Sequence, residues 1–147
     1  MTPQQAEQVA QLVNARNQLP VQYTAQKVLQ HADDYLFELS DETVIACVEV
    51  KKVQWYQWEI CHLSVSESHE RRGLGKRLIR RAEAKAKRGG TRIIQCTIRV
   101  GNEASEQTFR RCGYREACCF FNAGTGNHVA VWQKVLSTDR QEHPDIV

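Results

Sequence analysis

One stretch of the chain limits its folding options more than any other. Residues 53–65, VQWYQWEICHLSV, alternate like a strand; the loop SESHERRG leads into a helical repeat; and residues 92–100 alternate again. A strand, a helix and a strand in succession make a right-handed crossover, which joins parallel strands. The two runs before it, YLFEL and TVIACVEV, are joined by short polar turns and read as antiparallel neighbours. A sheet with both pairings is predicted.

Helices flank that unit. Thr2, Pro3 and Gln5 form a helix start, because Thr caps, Pro suits the first helical position and a Gln three residues on closes a capping box. Ala6, Val9, Ala10 and Val13 follow at helical spacing. Pro20 breaks this helix, and Thr24 caps a second one expected to bury Val28, Leu29 and Ala32. In the crossover helix Leu78, Ile79, Ala82 and Ala86 share one side, and Gly89 and Gly90 end it. Asn102 caps a short helix stopped by Gly113, and strands over 114–122 and 128–136 are joined through GTGN. The predicted order is αα βββ α β α ββ, an α/β (α+β) fold with one domain over 1–136 and a loose tail over 137–147. Alternation puts Glu59, Cys61, Leu63 and Val65 on one face of the third strand and Trp58, Ile60, His62 and Ser64 on the other, and turns Ile94, Cys96, Ile98 and Val100 inward.

Composition narrows the class. A chain of 147 residues with 41% hydrophobic and 25% charged content suits one domain with a real core and excludes disordered and collagen-like chains. No apolar run approaches the ~20 residues of a membrane span, and MTPQQAEQVA lacks the marks of a signal peptide. The six cysteines then read as reduced thiols in a cytoplasmic protein. Cys47, Cys61, Cys96, Cys112, Cys118 and Cys119 form no CxxC pair, so zinc is not expected, and most read as core.

The net charge of +3 conceals an asymmetry: residues 1–70 sum to −6, 71–115 to +11 and 116–147 to −2. Ten of the 20 basic residues lie between Arg71 and Arg92, where Glu83 is the lone acid. Such a stretch faces water or an anion. Within it, Gly73, Leu74 and Gly75 sit at the strand-to-helix joint, where glycines let backbone N–H groups converge and the helix dipole adds its positive end. The third glycine of a dinucleotide fingerprint is missing, and Gly75, Lys76, Arg77 do not complete a P-loop.

In this context the sequence resembles the Gcn5-related N-acetyltransferase superfamily over about Tyr35 to Leu136. LSV followed by SESHERRGLGKRLI is similar to that family's strand and R/Q-x-x-G-x-G/A loop, and NEASEQTFRRCGY is similar to its N-x-x-A/S-x-x-x-Y-x-K/R-x-G-F/Y segment. The resemblance implies acetyl-coenzyme A as co-substrate. Its pantetheine would pair with the backbone of Leu63, Ser64 and Val65, and its diphosphate would rest on Arg71, Arg72, Gly73, Leu74, Gly75 and Lys76. Asn102 would touch the pantetheine arm and Arg111 the nucleotide end. Three departures stand out: Glu70 replaces the loop's leading Arg or Gln, Phe109 replaces the tyrosine that often protonates the leaving thiolate, and the usual first strand is absent.

The reaction implied is attack of a neutral primary amine, from a small molecule or a peptide, on the thioester. Presenting a lysine-like amine neutral at pH 7 costs about 4 to 5 kcal/mol, which makes a base useful. Glu59 matches the placement of the base in the histone acetyltransferase branch, while His62 reads as a packing residue facing the other way. The acceptor cleft is expected between Leu19–Tyr23 and Gly124–Asn127, with the acidic first half, Trp55, Tyr56 and Trp58 suited to a cationic amine. No membrane partner is expected, and homodimer formation stays open. Two other readings are a non-catalytic acyl-coenzyme A sensor, given Phe109, and a nucleic-acid module using the basic helix, which the lack of interleaved aromatics disfavours.

Overall fold

Helix α1 (Pro3–Arg16) begins as its capping box requires. The Thr2 hydroxyl accepts from the Gln5 N–H at 3.1 Å, and the Gln5 side chain accepts from the Thr2 N–H at 2.9 Å. Ala6, Val9, Ala10 and Val13 form the buried stripe. Thr24 caps α2 (Ala25–Gln30), but six residues present one side only: Val28 is buried and Leu29 is exposed. These elements come from a computed structural model that describes residues 1–136; the expected tail at 137–147 lies outside the described residues.

Six strands follow: β1 (Tyr35–Ser40), β2 (Thr43–Gln54), β3 (Gln57–Val65), β4 (Ile93–Arg99), β5 (Arg115–Asn122) and β6 (Asn127–Val135). Helix α3 (Leu74–Arg88) links β3 to β4, and α4 (Glu103–Arg111) links β4 to β5. The element order is the predicted one, and the sheet runs β1-β2-β3-β4-β6-β5. Among the described residues only β3 and β4 pair in parallel, across the crossover. No helix among the described residues is long and apolar enough to cross a membrane.

Each face of the sheet has its own core. On one, α3 sets Leu78, Ile79, Ala82 and Ala86 against Val48, Val50, Ile60, Ile94 and Trp132. Burying each Leu or Ile there contributes about 1.5–3 kcal/mol. On the other, the α1 stripe and Val28 cover Tyr35, Val44 and Cys47. Glu83, the lone acid of the basic stretch, is buried beneath α3 and accepts from Lys134 Nζ at 3.0 Å. That contact supplies the partner a buried carboxylate needs.

Several expectations about side chains are corrected. Val100 is half exposed because β4 ends at Arg99 and the chain turns at Gly101 (φ 92°). Cys118 and Cys119 are exposed, since β5 is an edge strand with neither face covered. Trp58 packs beneath Gly89, where an added Cβ would come 2.4 Å from the indole, and Trp55 projects from the β2–β3 turn at 79% exposure.

Candidate active site

The strands that pair in parallel do so over only four residues. Gln57–Ile60 match Ile93–Cys96, after which β3 and β4 continue without bonding to one another. The parting coincides with a bulge in β3. Register passes from Glu49↔Cys61 to Cys47↔Ser64, so Val48 alone faces both His62 and Leu63. His62 takes the extra step in the left-handed region, at φ 53°, a strain of roughly 1–2 kcal/mol for a side-chain-bearing residue.

That one residue resets the alternation and overturns the expected faces of β3. Leu63 and Val65 join Trp58 and Ile60 on the α3 side, where they pack on the main core. Ser64 faces α1, where its hydroxyl accepts from Asn17 Nδ2 at 2.8 Å and donates to the His62 carbonyl at 2.8 Å. His62 turns to the segment between α1 and α2, and its Nε2 lies 3.0 Å from the Tyr23 hydroxyl. Tyr23 is held in turn by paired backbone bonds to the Asn14 side chain, at 2.8 and 2.9 Å. The last turn of α1 thus fixes both the bulge and the residue that meets it.

Between the parted strands lies a cleft of about 360 Å³. Ile60, His62 and Leu63 form one wall, Cys96–Arg99 the other, and Asn102, Ser105 and Phe109 of α4 the floor. Arg16–Leu19 and Asn127 stand at its mouth; of the segments Leu19–Tyr23 and Gly124–Asn127 between which the acceptor was expected, Leu19 and Asn127 alone line it. Arg99 donates to Gln18 Oε1 across the mouth at 2.5 Å. Glu59 does not line the cleft; it lies earlier on β3, on the α1 side between Lys51 and Gln95. Trp55 and Tyr56 are in the turn at the opposite end of β3, and Trp58 is under α3, so none of these three aromatics is at the cleft.

Burial sets the protonation states. The His62 pKa is lowered by desolvation first and then by Lys51 and Lys27, so the ring is neutral at pH 7. The Glu59 carboxyl is raised by desolvation, an effect that Lys51 partly offsets. Tyr23 is pushed up to about 12, mostly by burial, and stays a phenol. Cys61 is likewise pushed up to about 12, which removes it as a nucleophile.

At the far end of β3 the chain passes Glu70, takes Arg71 into the left-handed region at φ 62°, and reaches Gly73 at φ 77°. Gly73 is the N-cap of α3 and brings no side chain to the first amides, which have no side-chain cap. Leu74 is anchored in the core and offers only its N–H; a Cβ on Gly75 would touch Leu63 at 3.7 Å and Thr108 at 3.9 Å. Among the described residues, Arg71, Arg72 and Lys76 have no acidic partner, whereas Arg77 and Arg81 reach Glu38 and Arg80 reaches Glu83. Unpaired amides, a helix dipole and three free cations suit a diphosphate. Asn102 caps α4 through Oδ1, bonded to the Ser105 N–H at 3.4 Å, and lines the cleft; Arg111 is exposed at the end of α4 and does not. Sequence reasoning passed over Arg16, whose partner is the distant Glu70, and set His62 aside because the bulge leaves no mark in the alternation.

The site is thus a cleft in a mixed sheet, parted beside a glycine-capped helix, and comparison with known proteins gives the class. Residues 5–114 match the Acetyltransferase (GNAT) family, and the chain belongs to it. Among solved structures it is similar to YncA of Salmonella typhimurium with its cofactor acetyl-CoA, at 16% identity and a TM-score of 0.80, covering 100% of this chain and 96% of that one. It is also similar to the ribosomal-protein-S18-alanine N-acetyltransferase of Escherichia coli, at 12% identity, TM-score 0.76 and coverage of 99% and 96%. A GNAT family acetyltransferase of Elizabethkingia anophelis with acetyl-CoA bound gives 13% identity, TM-score 0.72 and coverage of 86% and 89%. No curated protein matches the sequence.

Proposed function

We propose that the protein transfers an acetyl group from acetyl-coenzyme A to a primary amine of a small molecule or peptide by direct attack in a ternary complex. The observation that carries this reading is the adjacency of the parted β3–β4 cleft and the uncapped amides of α3. When bound, acetyl-coenzyme A supplies a thioester whose carbonyl the amine attacks. The amides from Arg71 to Lys76 hold the diphosphate, with Arg71, Arg72 and Lys76 adding charge, and the backbone of Leu63, Ser64 and Val65 pairs with the pantetheine. Asn102 reaches that arm from α4, and Arg111 lies toward the nucleotide end.

His62 takes the proton at the cleft. In the tautomer whose Nε2–H donates to the Tyr23 oxygen, 3.0 Å away, Nδ1 carries the free lone pair. Tyr23 keeps the ring oriented in both protonation states, since imidazolium still donates from Nε2. The proton gained from the amine is then available to the departing thiolate, which matters because Phe109 is buried and has no proton to give. A thiol of ordinary pKa, near ~8.5, leaves without a strong acid. A second reading places the base at Glu59, favoured by its raised carboxyl pKa.

The test is release of free thiol from acetyl-coenzyme A in the presence of a panel of small amines and peptides. Thiol release that depends on one amine class is the expected result. Tight carrier binding without release from any amine turns the protein into an acyl-coenzyme A sensor. Nucleic-acid binding is disfavoured by the ties of Arg77, Arg80 and Arg81 to acids within the chain.

A further inference from the structure

Glu70 occupies the position where the family's loop carries Arg or Gln, and a bare carboxylate there would repel a diphosphate. The carboxylate is not bare. It forms an ion pair with Arg16, the last residue of α1, although the two are 54 positions apart in the chain. The pair is partly exposed, at 36% and 42%, and pairs of this kind add little to stability. Its placement is the informative part. Arg16 also lines the cleft between β3 and β4, so one side chain touches both the start of the phosphate loop and the groove that leads to it. Asn17 holds this end of α1 in place through bonds to the Val13 carbonyl and to Ser64, each at 2.8 Å.

We propose that Arg16 is a ligand of the carrier's diphosphate, supplied from α1 in place of the missing loop side chain, with Glu70 as the residue that positions it. The inference rests on the reading that acetyl-coenzyme A binds at the glycine turn. A guanidinium has five N–H donors in a planar fork. Glu70 engages one terminal nitrogen, and Arg16 has no other acceptor among the described residues, so the remaining donors are free for phosphate oxygens. The pair presents a positive edge where the family's usual arginine would have done so from the loop itself.

The experiment compares calorimetric binding of coenzyme A with that of acetyl-pantetheine, which ends before the diphosphate. Arg16→Gln is expected to weaken coenzyme A by about tenfold, the loss of one charge-assisted bond, while changing acetyl-pantetheine by less than about twofold. In a Glu70→Arg background the same substitution costs much less, because the loop then carries its own guanidinium. Equal losses for both carriers would make Arg16 a structural support of the cleft and overturn the proposal. So would an unchanged affinity for coenzyme A. A wild-type chain that binds neither carrier overturns the acetyltransferase reading itself, a result distinct from either of these.

Discussion

The hydroxyl of Tyr23 lies 3.0 Å from Nε2 of His62, and the two rings meet edge to face with centroids 5.2 Å apart. One belongs to the segment after α1, the other to the bulge that parts β3 from β4. In the proposed reaction the bond joins the face on which the acceptor would arrive to the strand that would pair with the pantetheine. It engages Nε2 and leaves Nδ1 as the nitrogen that would take the proton in the proposed reaction.

Removing the imidazole tests that link. His62→Gln is expected to lower kcat by about 10² to 10⁴, the usual contribution of a positioned base. Tyr23→Phe, which keeps the ring packing but releases His62, loses about tenfold. Steady-state rates at pH 7 to 9 measure both. If Glu59→Gln abolishes turnover and shifts the pH optimum upward while His62→Gln retains activity, the base is Glu59.

Stability should follow the same two groups with opposite signs. The folded pKa of His62 is depressed, so its contribution is present above the unfolded value, near ~6.5, and is lost as pH falls through the folded pKa. The His62→Gln variant is predicted to melt with a flatter pH dependence than wild type below pH ~6.5. Glu59 has a raised folded pKa, so its contribution is present at low pH and lost as pH rises through that pKa. Glu59→Gln should raise the Tm at pH 7 and leave it unchanged below pH ~4.3. Calorimetric scans across pH 3.5 to 8 check both signs.

Two glycines separate binding from folding. A Cβ at Gly89 would collide with the Trp58 indole, at 2.4 Å, and overpacking of that kind costs about 1–3 kcal/mol, so Gly89→Ala should unfold earlier but bind coenzyme A normally when folded. Gly75 has room, with its nearest atoms at 3.7 and 3.9 Å, yet a methyl there would stand on the turn proposed to hold the diphosphate. Gly75→Ala is expected to keep the wild-type Tm and lose affinity for coenzyme A.

The thiols offer a check on the sheet edge. Cys118 and Cys119 are exposed on β5, whereas Cys47, Cys96 and Cys112 are buried and Cys47 is pushed up to about 12 by burial. A thiol reagent should label two cysteines rapidly in the native protein, Cys61 slowly, and all six after denaturation. Rapid labelling of four or more would contradict the packing.

Much of this architecture can be read from local chemistry. The capping box at Thr2, the helical spacing of Val9 and Val13, the buried face of α3 and the glycine joint at Gly73 each follow from interactions within a few residues. What escapes is set over distance. The inversion of β3 arises from one left-handed histidine, and period-two reasoning takes the pleat to be unbroken. Cys118 and Cys119 sit in a run that reads as an ordinary strand, because nothing local says that β5 lies at an edge. The contact of Arg16 with Glu70, like the burial of Trp58 under Gly89, exists only once α1, β3 and α3 are assembled.

The most direct measurement of the central claim is a titration of isotopically labelled protein with acetyl-coenzyme A, followed through backbone amide chemical shifts. The largest changes are predicted at Arg71–Lys76 and at Leu63–Val65. Shifts confined to another part of the sheet, or none at all, would contradict the account.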